Sequence, residues 1–300
     1  MKRLLALLTV LALALTSFAQ EKKEDLPPKE SEDEAESADE EKKDDKKKLK
    51  TIADVTEDCE RIEGLFPLFQ NQKTGEVYLE LGETHLGKEF IHFAHVEDGL
   101  PAVGLFRGAF YDASIFRIER HFDRIEFVKQ NTAFHVDPAS ALSRAAEANI
   151  PPAVIASEKI EASDEERNLH LIKADSIFLS ELFEQVKPSP PKDDKNSGDR
   201  VSLGELDKDR TRFAELKNYP ENTIFRVAYT YKNLRPREYG EADVTDARFI
   251  SIRMQHTLLE VPENDYQPRF DDPRVGYFTE QITDLTSAAY TPWRDVIQRW

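Results

Sequence analysis

Metal chemistry is the first possibility that seven histidines raise. A zinc site needs three or four ligands, commonly with a close pair on one helical turn or hairpin. His92 and His95 flank that spacing beside Glu89, but residues three apart in a strand point to opposite faces, so the two imidazoles diverge. His121, His135, His170 and His256 stand singly on separate elements, and H-E-x-x-H is absent. Gly82-Glu83-Thr84-His85-Leu86-Gly87-Lys88 has the glycine and lysine spacing of a phosphate-binding loop. Glu89 follows where a Ser or Thr must reach magnesium, and the flanks read as two strands, so an exposed loop is expected instead. No G-x-S-x-G elbow occurs. The lone Cys59 has no histidine pattern near it and is expected to be a quiet, half-buried residue. Carboxylates abound, and nothing selects a pair for glycoside hydrolysis. The sequence therefore assigns no catalytic, cofactor-binding or metal-binding residue within the chain.

The segment from Tyr266 to Phe278 has a different character. Pro268 and Pro273 fix extended backbone, Asp272-Pro273 starts a turn, Gly276 permits a tight one, and Arg269 and Arg274 can pair with Asp271 and Asp272. It reads as a rigid, aromatic-rich strap, either closing its own domain or docking onto another. Tyr290, Trp293, Ile297 and Trp300 add apolar surface after it. The candidate docking residues are Tyr266, Arg269, Asp272, Arg274, Tyr277 and Phe278.

The elements that must carry these residues are mostly strands. Leu65 to Gln70 and Val77 to Leu81 read as a hairpin around the Gly-containing turn Asn71 to Gly75, and Phe90 to Val96 as a third strand. Ile115 to Arg120, then Ile125 and Phe127 after Asp123-Arg124, alternate with period two, which implies an antiparallel sheet with one wet face. Asp137 is placed to cap a helix with Pro138 at its first position and Leu142, Ala145 and Ala146 at helical spacing. Strands are expected at Val154 to Ala162 and Leu169 to Ala174, and a short amphipathic helix at Ile177 to Val186. Lys187 to Arg200 is the best internal break, a domain boundary or a long surface loop. Phe225, Val227, Tyr229 and Tyr231 alternate in a strand whose expected partner is Arg248 to Val261. The fold class is mainly β (α+β), with antiparallel sheets in a sandwich- or barrel-like arrangement and a few short helices.

The amino terminus bears on compartment. Lys2 and Arg3 precede the apolar run Leu4 to Thr16, and Ser17-Phe18-Ala19 supplies the small residues a signal peptidase reads, so residues 1–19 are expected to be a signal peptide. Residues 20–50, nearly all Glu, Asp, Lys, Ser and Pro, bury too little apolar surface to order and form a charged, disordered tether. Export to the periplasm or outside the cell follows, with no membrane association after cleavage. A formal net charge of −17 opposes nucleic acid as a partner, since phosphate binding needs a positive surface. A single cysteine excludes an internal disulfide, so stability must come from the core. Residues 51–265 are expected as a β-rich domain and 266–300 as the strap and its continuation.

Taken in order, several motifs carry a resemblance. Tyr-x-Pro-Arg from Tyr266, followed by Asp-Pro-Arg-x-Gly-Tyr-Phe from Asp272, resembles the stretch that ends the N-terminal domain of unknown function in bacterial zinc-dependent metalloproteases of the H-E-x-x-H, metzincin-like type. Gly64 to Leu68 with Thr74 to Glu80 is similar to that family's opening hairpin, Arg107-Gly108 and Phe116 to Arg120 to its central strands, Phe213 to Asn222 to its Phe-Pro-x-Asn region, and Ile297 to Trp300 to its connection into the catalytic domain. Phe106 departs from it, standing where relatives often carry an acidic residue. The resemblance implies a non-catalytic accessory region that packs in cis on a metalloprotease catalytic domain beyond Trp300, with zinc held only there and a peptide or protein substrate as a further partner. A free-standing exported binding module for a protein or glycan is the alternative.

Overall fold

The structure is a computed structural model that describes residues 50–187 and 201–298 except 241, 264, 266, 273, 275 and 287–289. The expected signal peptide and nearly all of the tether lie outside the described residues, as do Tyr266, Trp300 and most of the break at 187–200. Residues 48–300 belong to one compact unit.

The described residues form sixteen strands in chain order: β1 (Cys59–Ile62), β2 (Leu68–Asn71), β3 (Val77–Leu81), β4 (Glu89–Asp98), β5 (Phe110–His121), β6 (Arg124–Lys129), β7 (Phe134–His135), β8 (Ala153–Lys159), β9 (Ala162–Asp164), β10 (Leu169–Lys173), β11 (Glu205–Leu206), β12 (Arg212–Tyr219), β13 (Asn222–Lys232), β14 (Phe249–Glu260), β15 (Thr279–Asp284) and β16 (Trp293–Ile297). They form a five-stranded sheet β1-β2-β3-β10-β9, a curled sheet β11-β13-β14-β4-β5-β6-β8 in which β12 also pairs with β13, and a small sheet β16-β15-β7. Every pairing between these strands is antiparallel except β15 with β7. The mainly β, antiparallel fold is thus as expected, and strands from both sides of residues 187–200 share the curled sheet.

Period-two patterning explains how the two large sheets meet. Along β13, Phe225, Val227, Tyr229 and Tyr231 are buried, and Ile250, Ile252, Met254 and Leu258 do the same along β14, its expected partner. With Phe90, Ala94 and Val96 of β4, Phe116 and Ile118 of β5 and Ile125 and Phe127 of β6, they meet Leu68, Val77, Leu79 and Leu81 of β2 and β3 in one apolar cluster. The expected β2–β3 hairpin closes at Gly75, whose φ of 80° is the left-handed conformation glycine tolerates. On the far side of the five-stranded sheet, Phe69, Tyr78 and Leu171 pack against Ile52, Val55 and Cys59, under the short helix α1 (Ile52–Thr56). Cys59 is half-buried there. Burial, with the nearby Asp58 and Glu76 carboxylates, pushes its thiol pKa up, which favours the protonated thiol.

Two helix expectations need correction. Asp137 does not cap a helix: its Oδ1 accepts from Ala139 N–H at 2.9 Å and its carbonyl from Ser140 N–H at 2.8 Å, closing a local turn. The helix α2 begins later, at Ser143–Asn149, behind Leu142 and with no side-chain cap. Residues 177–186 likewise do not form a helix throughout. Helix α3 spans only Asp175–Phe178, and the chain then runs on irregularly while burying Phe178, Phe183 and Val186 on the inner face of the curled sheet. The aromatic spacing that reads as amphipathic helix is satisfied by ring packing instead: Phe178 stacks on Phe225 at 4.0 Å, and Phe183 meets Phe116 edge-on at 5.4 Å.

Candidate docking surface

The strap residues are held by the small sheet. β15 and β16 pair from Thr279 opposite Ile297 to Thr283 opposite Trp293, and β7 adds Phe134 beside Thr283. The strap then lies along the free side of β16. Phe270 bridges Val296, Ile297 N–H donates to Arg269 C=O at 2.8 Å, and Asp271 N–H donates to Asp295 C=O at 2.8 Å. Gln298 N–H donates to Phe278 C=O at 2.9 Å. Extended backbone fixed by Pro268 suits this edge position, where a missing N–H is tolerated.

The expected pairing of arginines with aspartates is half realised. Arg274 Nε donates to Asp272 Oδ1 at 2.8 Å, its backbone N–H donates to the same oxygen at 3.0 Å, and its Nη2 reaches Oδ2. These bonds hold the Asp272 carboxyl below its ordinary range. Arg269 instead contributes its backbone carbonyl. Asp271 Oδ1 is enclosed with no hydrogen-bond partner, which leaves a desolvated carboxylate oxygen facing no donor.

Among its described residues this lobe has no core. No described residue in 129–155 or 259–298 is buried. The exposed side chains are nonetheless large and apolar: Phe278 is 79% exposed, Trp293 58%, Tyr277 55% and Phe270 53%, the last with the Arg294 guanidinium 5.6 Å from its ring centre. A three-stranded sheet ordinarily needs one apolar face packed against something. Next to this lobe, Leu142, Ala145, Ala146, Asn149, Ile150 and Leu285 line a shallow groove of about 270 Å³ with little polar surface. The sheet, strap and groove together expose apolar side chains on one lobe.

Elsewhere the fold assembles two histidine groupings that sequence spacing does not reveal. His170 is buried, with Ser163 Oγ 3.2 Å from its Nδ1 and Arg120 Nη1 3.2 Å from its Nε2. Arginine only donates, so Nε2 accepts and the imidazole proton sits on Nδ1, pointing at the serine. Such a histidine cannot take the serine proton, and burial with the Arg120 charge lowers its pKa further. The grouping is a structural clamp that joins β9 and β10 to β5. The second grouping joins His92, His256 and Tyr229 within the core. His92 and His95 point to opposite faces of β4, as their spacing predicts, and only His92 reaches it. Among the described residues, no three His, Cys, Asp or Glu side chains converge on a possible ion site.

The phosphate-loop lookalike is a strand connection pinned from inside. Gly82 N–H donates to His85 Nδ1 at 3.0 Å, so His85 Nε2 carries the proton and donates to Leu65 C=O at 2.8 Å. Its ring lies 5.0 Å from that of Phe66.

A domain of unknown function, DUF5117, matches residues 108–300, about two thirds of the chain. The chain belongs to the DUF5117 family. No curated protein and no solved structure matches it. The DUF5117 span contains the strap, the small sheet and the groove, together with β5 through β16. It omits β4, which stands between β14 and β5 in the curled sheet.

Proposed function

We propose that this chain is the non-catalytic accessory region of an exported zinc-dependent metalloprotease, packed on the catalytic domain in cis through the strap and small sheet. One observation carries the reading: a lobe with no buried side chain among its described residues exposes Phe270, Tyr277, Phe278 and Trp293 in a small span. Exposed aromatics gathered in this way are typical of surfaces covered by a partner. The unpaired Asp271 Oδ1 adds a polar contact awaiting a donor. Export rests on the signal-peptide pattern of residues 1–19, and the protease connection on the resemblance of the strap and hairpin motifs. In this reading the chain contributes no zinc ligand and no catalytic group. It supports the folding of the catalytic domain or shapes its substrate cleft.

The test begins with the coding frame beyond Trp300. An H-E-x-x-H domain there, produced separately and binding residues 20–300 saturably by calorimetry, supports the proposal. A native protein ending at Trp300 defeats it and favours the second reading, a free-standing binding module. That reading has its own support in Phe93 on the outer face of the curled sheet, 6.3 Å from the ring of His95 and 6.4 Å from that of exposed Phe110.

A further inference from the structure

The buried histidine pair has a defined direction. Tyr229 Oη donates its one proton to Phe178 C=O at 2.7 Å, so toward His256 Nε2, 2.8 Å away, it accepts. His256 therefore carries its proton on Nε2 and leaves Nδ1 bare. That nitrogen accepts from His92 Nε2 at 3.1 Å, which fixes His92 as a donor. Two neutral rings, stacked with centres 5.4 Å apart, thus pass a one-way series of hydrogen bonds from β4 through β14 and β13 to the end of α3.

The far end of the series holds residues 175–187. Apart from one helical turn, this segment has no ladder of its own on the curled sheet. It is attached to the curled sheet by Tyr229 to Phe178 C=O, by Tyr231 Oη to Glu181 Oε1 at 2.8 Å, and by Tyr111 Oη to Val186 C=O at 2.9 Å, while Asp175 Oδ2 accepts from Val77 N–H of β3 at 2.7 Å. Its aromatic rings complete the contact, and Phe183 lies edge-on to His92 with centres 5.0 Å apart.

A proton added to the imidazole pair has little to offset it. Neither ring hydrogen-bonds a carboxylate among the described residues. A charge on either ring opposes charging of the other, and the Lys129 ammonium of β6 also opposes the charging of His92. On the segment side, Glu181 is engaged by Tyr231 and by Lys187 N–H at 2.9 Å, and the negative charges of Glu181 and Glu184 act on Tyr229. Burial is the largest influence on both histidines. It brings His256 down to about 4 and holds His92 well below its ordinary value.

We propose that the His92–His256–Tyr229 series is an acid-sensitive latch whose protonation releases residues 175–187 from the sheet while the sheet stays folded. The sign follows from linkage: a released pair titrates near 6.5, so the open form binds more protons than the closed form as pH falls from about 6.5 toward 4. The closed latch is therefore fully favoured above about pH 6.5 and progressively lost below it.

Hydrogen exchange read by mass spectrometry from pH 7.5 to 4.5, corrected for intrinsic rates, tests this on the full chain. Amides of 175–187 are expected to lose about tenfold or more of their protection while β13 and β14 keep theirs. Simultaneous loss in both, or none in the segment, overturns the latch. The double variant His92→Gln, His256→Gln should flatten the pH dependence, and an unchanged loss in it assigns the effect to another group and also overturns it. Should that variant not fold, nitrogen-detected NMR of the unaltered chain still decides. Both rings as neutral Nε2–H tautomers at pH 6 are expected, and an imidazolium at either position there overturns the proposal.

Discussion

Ala94 of β4 stands opposite His256 of β14, while its neighbour Phe93 stands opposite Ala113 of β5. The strand that joins the two halves of the curled sheet thus precedes the span that matches DUF5117. Within residues 108–300 alone, β14 and β5 would each present an unpaired edge, and the cluster would lose Phe66, Leu68, Leu79 and Phe90. A fragment of residues 108–300 is expected to show no cooperative thermal unfolding by circular dichroism, whereas residues 50–300 unfold in a single transition. A cooperative, strand-rich fragment would show that β4 is dispensable.

Asn218 holds the seam between the two large sheets. Its Nδ2 donates to Ile62 C=O at 3.0 Å and to Phe66 C=O at 2.7 Å, and its Oδ1 accepts from Thr223 at 2.6 Å. Asn218→Ala takes a donor from two carbonyls and is expected to lower stability by about 2 kcal/mol in denaturant titration. Gly64→Ala attacks the same contact from the other side, since a Cβ there would sit 2.1 Å from Asn218 Oδ1 and 2.8 Å from its backbone carbonyl carbon. A destabilisation of about 1–3 kcal/mol follows from overpacking. Values near zero for both would mean that the seam closes without these contacts.

Ser163 should be unreactive despite its histidine. With the His170 proton directed at Ser163 Oγ, a fluorophosphonate probe is expected to label the folded chain no faster than it labels Ser163→Ala. Stoichiometric labelling that disappears in Ser163→Ala would reverse the tautomer assignment.

What could be read from the sequence follows from how local each signal is. The β2–β3 hairpin is marked by its own turn, and the alternation at Phe225 to Tyr231 identifies both a strand and its buried face. Cys59 and the divergence of His92 from His95 follow from similarly short-range rules. The meeting of His92 with His256 does not, because 164 residues separate them and periodicity gives a face without giving a neighbour. The helix expected over 177–186 fails for a related reason: buried aromatics at helical spacing look alike whether a helix or an irregular segment presents them to a sheet. The strap's rigidity is written in its prolines, and its Arg274–Asp272 pair in their spacing. Its position along β16 depends on a pairing that no local pattern specifies.

The docking proposal meets its most direct test in one binding measurement. Tyr277 and Phe278 lie outside the apolar cluster and are exposed, so replacing both by alanine should leave the isolated chain folded with an unchanged unfolding midpoint. Calorimetric titration against the separately produced H-E-x-x-H domain is expected to show association weakened by about 2 kcal/mol or more, the size usual for aromatic anchors buried at an interface. Unaltered association, with the isolated variant unfolded, would contradict the account and make the strap part of this domain's own structure.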